Sequence, residues 1–247
     1  MKHPPAVPFR LTVAVTGHRG AGLGDPGAAA AALDNRLPWI AAAARIVPTR
    51  EATALADAPP ALVLLSALTE GTDQIAAACA LRHGFALHAV LPFARAEYRQ
   101  DFTDAVTTMF DTLLAQTARV IELPGTRDTA ATAYALAGRA VVEYADVLIA
   151  VRDRLPARGA GGTGEVVEHA LRRGIPVIHV PSDGGDTVRL IWSGHDPHIT
   201  HSHHDDITAH PLDDARLAAL GLAQPDLREG GHGAWRLSNQ QRRLQLP

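Results

Sequence analysis

The sequence predicts an α/β fold of the Rossmann type, a three-layer sandwich around a mostly parallel sheet of about six strands. Two observations carry that expectation. Short runs almost continuous in apolar β-formers recur between Arg10 and Val180, and alanine-rich amphipathic stretches separate them. Continuous rather than alternating apolar runs suit strands buried on both faces, and their alternation with helices suits βαβ units with right-handed crossovers.

The strands are expected at Arg10–Thr16, Leu62–Ser66, Ala86–Leu91, Arg119–Leu123, Val147–Val151 and Pro176–Val180. Helical spacing covers Gly27–Leu37 and Trp39–Ile46, with Pro38 between them expected to kink or restart the helix. Further helices are expected at Thr72–Arg82, Ala96–Thr117 (the longest), Thr129–Tyr144 and Gly164–Arg173, with Gly84 and Gly174 as stops. Residues 1–181 read as one nucleotide-binding domain. After Pro181 the periodicity decays, and residues 182–247 read as an irregular, His-rich extension packed on the domain or on a partner, with a short helix at Arg216–Leu220.

Composition narrows the function. At 247 residues the chain can bury a full core without staples. Its single cysteine, Cys79, excludes an internal disulfide and reads as a small core hydrophobe. The first residues lack a signal-peptide pattern, and the apolar run at Ala61–Leu65 is far shorter than a bilayer span. Together these describe a protein of a reducing, cytoplasmic compartment with no membrane association. The net charge is −3, and every basic residue but Lys2 is arginine. A mildly acidic chain with few aromatics argues against nucleic acid as a partner, since single-strand binding needs a basic groove with stacking platforms. His195, His198, His201, His203 and His204 offer some metal-ligand spacings, but without a cysteine or helix signals they read as a solvated loop. No metal and no cofactor is expected.

In an open parallel sheet, ligands bind beyond the carboxyl ends of the strands, where the strand order reverses. The loop after the first strand, Thr16-Gly17-His18-Arg19-Gly20-Ala21-Gly22-Leu23-Gly24, lets backbone approach a ligand and offers Arg19 to a phosphate. It is not in the GxGxxG register of dinucleotide sites. After the second strand come Ser66, Thr69, Glu70, Thr72 and Asp73. Ser66 and Thr69 can donate to a ligand, and Glu70 belongs near the cleft, while Thr72 and Asp73 can equally cap the next helix. Tyr98 and Phe102, one helical turn apart, either pack on the core or stack a base. The loop after the fifth strand, Gly159-Ala160-Gly161-Gly162-Thr163-Gly164-Glu165, has the strongest ligand signature. Glycines opening a helix present unpaired amides at an end carrying about half a positive charge. Glu165 and Glu168 follow, three residues apart on one helical face.

These stretches resemble the SLOG superfamily of Rossmann-like domains, which joins the DNA-processing protein A (Smf) domains with the Lonely Guy phosphoribohydrolases. Val13-Ala14-Val15-Thr16-Gly17-His18-Arg19 is similar to the opening strand and Gly-x-Arg turn of the Smf branch. Leu65-Ser66-Ala67-Leu68-Thr69-Glu70-Gly71-Thr72-Asp73 is similar to its Ser-Gly-Leu-Ala-x-Gly-x-Asp stretch, with Ala67 where glycine is usual. Asp146-Val147-Leu148-Ile149-Ala150 followed by Gly161-Gly162-Thr163-Gly164-Glu165 resembles the strand and phosphate loop of both branches. The Gly-x-Pro-Val strand at Gly174-Ile175-Pro176-Val177 gives a weaker likeness to nucleoside deoxyribosyltransferases.

The resemblance implies a nucleotide-derived ligand, bound by Gly17, His18, Arg19, Ser66, Glu70, Asp73, Gly161, Gly162, Thr163 and Gly164. By the Lonely Guy pattern it also implies catalytic roles for Arg139 and for Glu168 or Glu165, depending on how the glycine loop is matched. There the chain departs from the pattern: Ala140 stands for the family lysine, Ala160 for the proline and Glu165 for the threonine. Two functions follow, binding or sensing of a nucleotide derivative and hydrolysis of a nucleoside monophosphate to its free base. In the second, a carboxylate would stabilise an oxocarbenium-like sugar and direct a water. The family also implies a homodimer through the helix Thr129–Tyr144.

Overall fold

In the computed structural model, the described residues are 6–50, 55–153, 162–182, 188–191 and 209–211. Six parallel strands form the body of the sheet: β1 (Arg10–Gly17), β2 (Ala61–Ser66), β3 (Ala86–Phe93), β4 (Thr117–Gly125), β5 (Val147–Arg152) and β6 (Val177–Pro181). Two short antiparallel strands, β7 (Arg189–Ile191) and β8 (Ala209–Pro211), extend it beyond β6. The spatial order is β4-β3-β2-β1-β5-β6-β7-β8.

Strand parity makes the three layers. On β1, Leu11, Val13 and Val15 point to one face, where they meet Leu62 and Leu64 of β2 and Val147, Ile149 and Val151 of β5. Helices α1 (Pro26–Arg50) and α2 (Thr72–Arg82) cover that face. Ala14, Leu65, Val90, Leu148 and Ala150 point the other way, beneath α5 (Ala130–Glu143) and α6 (Thr163–Arg172). With both faces covered, neither parity can be polar, hence the unbroken apolar runs.

Three expectations are corrected. Helix α1 runs unbroken through Pro38. Leu33, Leu37, Ile40, Ala41 and Ala44 lie on both sides of the proline and are all buried. At about 1.5–3 kcal/mol for each large apolar side chain, their burial outweighs the roughly 3 kcal/mol cost of an interior proline.

The long helix expected at Ala96–Thr117 is instead a single turn, α3 (Arg95–Tyr98), a 3-10 turn at Arg99–Asp101 and a separate helix, α4 (Asp104–Leu114). Phe102 between them is extended. The break lets Tyr98 reach an aromatic cluster, with edge contacts to Phe93, Phe102 and Phe110 at centroid distances of 4.9–5.6 Å. Such pairs add about 0.5–1.5 kcal/mol each beyond area burial.

Finally, the region after Pro181 is not wholly irregular, since β7 and β8 belong to the sheet. Leu190 is buried on β7, which gives a three-residue strand something to hold it there. The short helix expected at Arg216–Leu220, the histidines at 195–204 and the glycines at 159–161 lie outside the described residues. Cys79 is buried, and burial pushes its thiol up to about 11, the behaviour of a core residue. Among the described residues no helix is long and apolar enough to cross a membrane.

Candidate functional site

The strand order reverses between β1 and β5, so the ligand crevice of this topology opens between their carboxyl ends. The loops there are stitched together. The His18 amide donates to the Val151 carbonyl at 3.2 Å, the Ser182 amide to the Arg152 carbonyl at 3.2 Å, and the Asp25 amide to the Ser182 carbonyl at 3.3 Å. The loops after β1, β5 and β6 therefore share one rim. The His18 ring joins it: Nε2 accepts the Asp153 amide at 3.1 Å and lies 3.3 Å from an Asp153 carboxylate oxygen. The amide contact needs a bare Nε2 and the carboxylate contact an Nε2–H, so the two belong to different tautomers of the ring.

The loops after β1 and β2 are locked as well. Gly17 lies so close to the head of α2 that a Cβ there would clash with the Thr72 side chain. The Thr72 hydroxyl and amide both donate to the His18 carbonyl, at 3.1 and 3.3 Å. Gly71 holds φ at +86°, and a Cβ on it would stand 2.8 Å from the same carbonyl. These glycines serve loop-to-loop packing. Glu70 faces the β1 loop, since a Cβ on Gly20 would lie 3.4 Å from its carboxylate.

Within the β2 loop, Ser66 is fully buried and its hydroxyl accepts the Leu68 amide at 2.9 Å. This bond holds Leu68 in a left-handed conformation, with φ of 55°, costly for a non-glycine residue and found most often at functional loops. Asp73 caps nothing on its own helix. It reaches back to accept the Thr69 amide at 3.4 Å. Burial pushes the Asp73 carboxyl up to about 6, while hydrogen bonds from Thr69 and Ser66 and the positive charge of Arg19 pull the other way.

Arg19 sits with its guanidinium carbon 4.3 Å from the centroid of the Tyr134 ring. The Tyr134 hydroxyl donates to Asp101 at 2.5 Å, and Asp101 is paired with Arg127 at 2.7 Å. Burial and the Asp101 bond push the Tyr134 phenol up to about 12. Tyr98 takes the core position rather than a stacking one, for it is fully buried beside Phe93. Tyr134 and Asp101 gave no signal in sequence, because one lies on α5, the other in the turn before α4, and they meet across 33 residues.

On the other side of the crevice, Gly162 caps α6 in an extended conformation, Thr163 begins the helix and Gly164 is buried. Gly161 lies outside the described residues. Arg139 on α5 donates to Glu165 in the first turn of α6 at 2.9 Å. The neighbouring Gly138 permits this approach, since a Cβ there would meet Val166 at 2.7 Å. Glu168 does not join them. It pairs with Arg172 at 3.8 Å and lines a cavity of about 300 Å³ with Arg152, Asp153, His179 and Arg189. The structure therefore sets Arg139 with Glu165 rather than with Glu168. Among the described residues no group of three or more His, Cys, Asp and Glu side chains could hold a metal ion.

No family model and no curated protein matches the sequence. Comparison with solved structures finds DNA processing protein A from Streptococcus pneumoniae at 17% identity and a TM-score of 0.44, covering 72% of this chain and 54% of that one. DNA processing protein A from Helicobacter pylori, described for its single-stranded DNA binding mode, is 16% identical with a TM-score of 0.41, covering 87% of this chain and 74% of that one. The protein TM1055 is 13% identical with a TM-score of 0.37, over 68% and 72% of the two chains. The SLOG resemblance is one of motif and of Rossmann-like architecture.

Proposed function

We propose that this protein binds a nucleotide or nucleotide-derived ligand at the carboxyl ends of β1, β2 and β5, as a binding or sensing domain. The observation that carries this reading is the junction of the loops after β1, β2, β5 and β6 at the point where strand order reverses. In this reading the helix head at Gly162, Thr163 and Gly164 takes a phosphate, with Gly161 as part of its loop. Gly17, His18 and Ser66 shape the opposite wall, Glu70 stands at its edge, and Arg19 and Asp73 meet the rest of the ligand. A homodimer through α5 belongs to the same reading; Leu136 and Tyr144, about half exposed on or beside that helix, are the apolar surface it would cover.

One observation favours a second reading, N-glycoside hydrolysis of a nucleoside monophosphate. Arg139 meets Glu165 at the head of α6, which supplies a carboxylate and an orienting cation on one side of the crevice. Binding without turnover leads because Glu165 is already engaged by that cation and Glu168 pairs with Arg172 instead. Overnight incubation with a panel of nucleoside mono-, di- and triphosphates, read by liquid chromatography with mass detection, separates the two. Intact nucleotides with a thermal shift from one of them are expected. A free base released by the protein, and not by an Arg139→Ala variant, would establish the hydrolase instead.

A further inference from the structure

On β6 and β7, Ile178, Val180 and Leu190 point to the layer of α1 and α2. Strand parity turns Val177, His179, Arg189 and Ile191 to the opposite side, that of α6. The register sets Ala150, His179 and Arg189 in one row across β5, β6 and β7, and Leu148, Val177 and Ile191 in the next row on that face. Between these rows and α6 lies the cavity of about 300 Å³. Val167 and Leu171 of α6 and Val177 and Ile191 of the sheet give it apolar walls, while its polar groups come from Arg152, Asp153, Glu168, His179 and Arg189. Apolar walls with a few convergent polar groups are the make-up of a small-molecule site.

Arg189 is the group that the fold does not explain. Its Nε is buried and finds no hydrogen-bond partner among the described residues, a costly position for a donor. Nor does it guard a sheet edge, because β8 pairs with the far side of β7. The other polar groups of the cavity are engaged. Glu168 pairs with Arg172, Asp153 lies 3.3 Å from His18, and Arg152 Nε donates to the Asp153 carbonyl at 2.9 Å. The buried His179 donates from Nε2 to the Arg152 carbonyl at 3.2 Å. An acceptor within the cavity would complete Arg189.

The walls decide which acceptor. Asp153 and Glu168 border the same space, and their charge opposes a phosphate dianion more strongly than a monoanion. A carboxylate is planar and singly charged, and it takes two parallel bonds from a guanidinium. The aliphatic walls suit an apolar body behind that head. We propose that this cavity binds a small organic monocarboxylate, its head on Arg189 beside His179 and its apolar body between α6 and the row of Val177 and Ile191. The site stands on its own residues, whether or not a nucleotide binds. It borders the nucleotide crevice at Asp153, which lines the cavity and meets His18.

The test is isothermal titration of the intact protein with benzoate, isovalerate and acetate, with benzamide and isovaleramide as uncharged counterparts, and with inorganic phosphate. Arg189→Gln is titrated alongside, after urea denaturation has shown that it folds. Benzoate or isovalerate is expected to bind the wild type at least about tenfold more tightly than its amide, as a charge-assisted pair allows. Acetate, which lacks the apolar body, and phosphate should both bind more weakly than that acid. In Arg189→Gln the acid should lose about tenfold in affinity, down to the level of its amide. Equal affinity for acid and amide overturns the site, and so does acid binding that Arg189→Gln leaves unchanged. Phosphate binding ahead of the acids overturns the choice of a carboxylate. If no acid of the set binds at millimolar concentration, the proposal falls. The comparison of acid with amide is made on the wild type, so it decides even if the variant does not fold. None of these outcomes touches the nucleotide reading, which the incubation with nucleotides tests separately.

Discussion

Arg139 and Glu165 meet at 2.9 Å between the adjacent helices α5 and α6, each next to a residue of the close contact between Gly138 and Val166. Half of the arginine side chain is exposed, so water screens the pair. Arg139→Ala is therefore expected to cost less than about 1 kcal/mol of stability. Urea denaturation of the variant checks this, and a small loss makes any change in its ligand binding or turnover a property of the site rather than of the fold.

Asp73 gives a pH dependence. Its folded-state value of about 6 lies above the ordinary 3.8. The folded protein thus holds the proton more tightly than the unfolded chain, and the carboxylate's desolvation penalty is absent while both states are protonated. The penalty grows as pH rises from about 4 through 6 and is complete above, with a size of about 3 kcal/mol. Asp73→Asn should be more stable than the wild type at neutral pH, with the difference closing below about pH 4. Denaturation of both proteins across that range checks the sign.

Gly71 and Gly17 should tolerate no side chain. Gly71→Ala combines a φ of +86° with a 2.8 Å contact to a backbone carbonyl, and Gly17→Ala drives a methyl into Thr72 at the packed head of α2. Each is expected to destabilise by about 1–3 kcal/mol or more. Gly84→Ala, which has the same sign of φ but nothing within 4 Å, is the control that carries only the backbone cost. Thermal unfolding of the three variants separates steric from conformational strain.

Pro38 interrupts the hydrogen bonds of α1 without ending it. Pro38→Ala is expected to raise stability by up to about 3 kcal/mol, through the restored amide and relief of the ring clash. A shift in the denaturation midpoint with no change in slope is the result to look for. A loss of stability instead would show that the proline ring packs better than the bond it removes.

What the sequence determined by itself was local and periodic. The six apolar runs specified six parallel strands; five are largely buried because a side chain on either face meets a helix layer, while β4 at the sheet edge has no buried residue. The glycine-rich turns marked the loops at the strand ends, and the segment from Gly17 to Arg19 was recognisable without a structure, although Gly17 and Gly71 serve contact between loops. Tertiary structure decided what depends on competition or distance. Burial on both sides of Pro38 overrode the local signal to break α1, while the demand to bury Tyr98 broke a helix that local propensity would have continued. The pairing of Arg139 with Glu165 rather than Glu168 came from the rotation of α6 against α5, which spacing within one helix cannot express. The gathering of Arg19, Asp73, Tyr98, Asp101 and Tyr134 came from four separate segments meeting above the sheet. That the Tyr98 hydroxyl has no hydrogen-bond partner among the described residues is a property of burial, and burial exists only once the chain has folded.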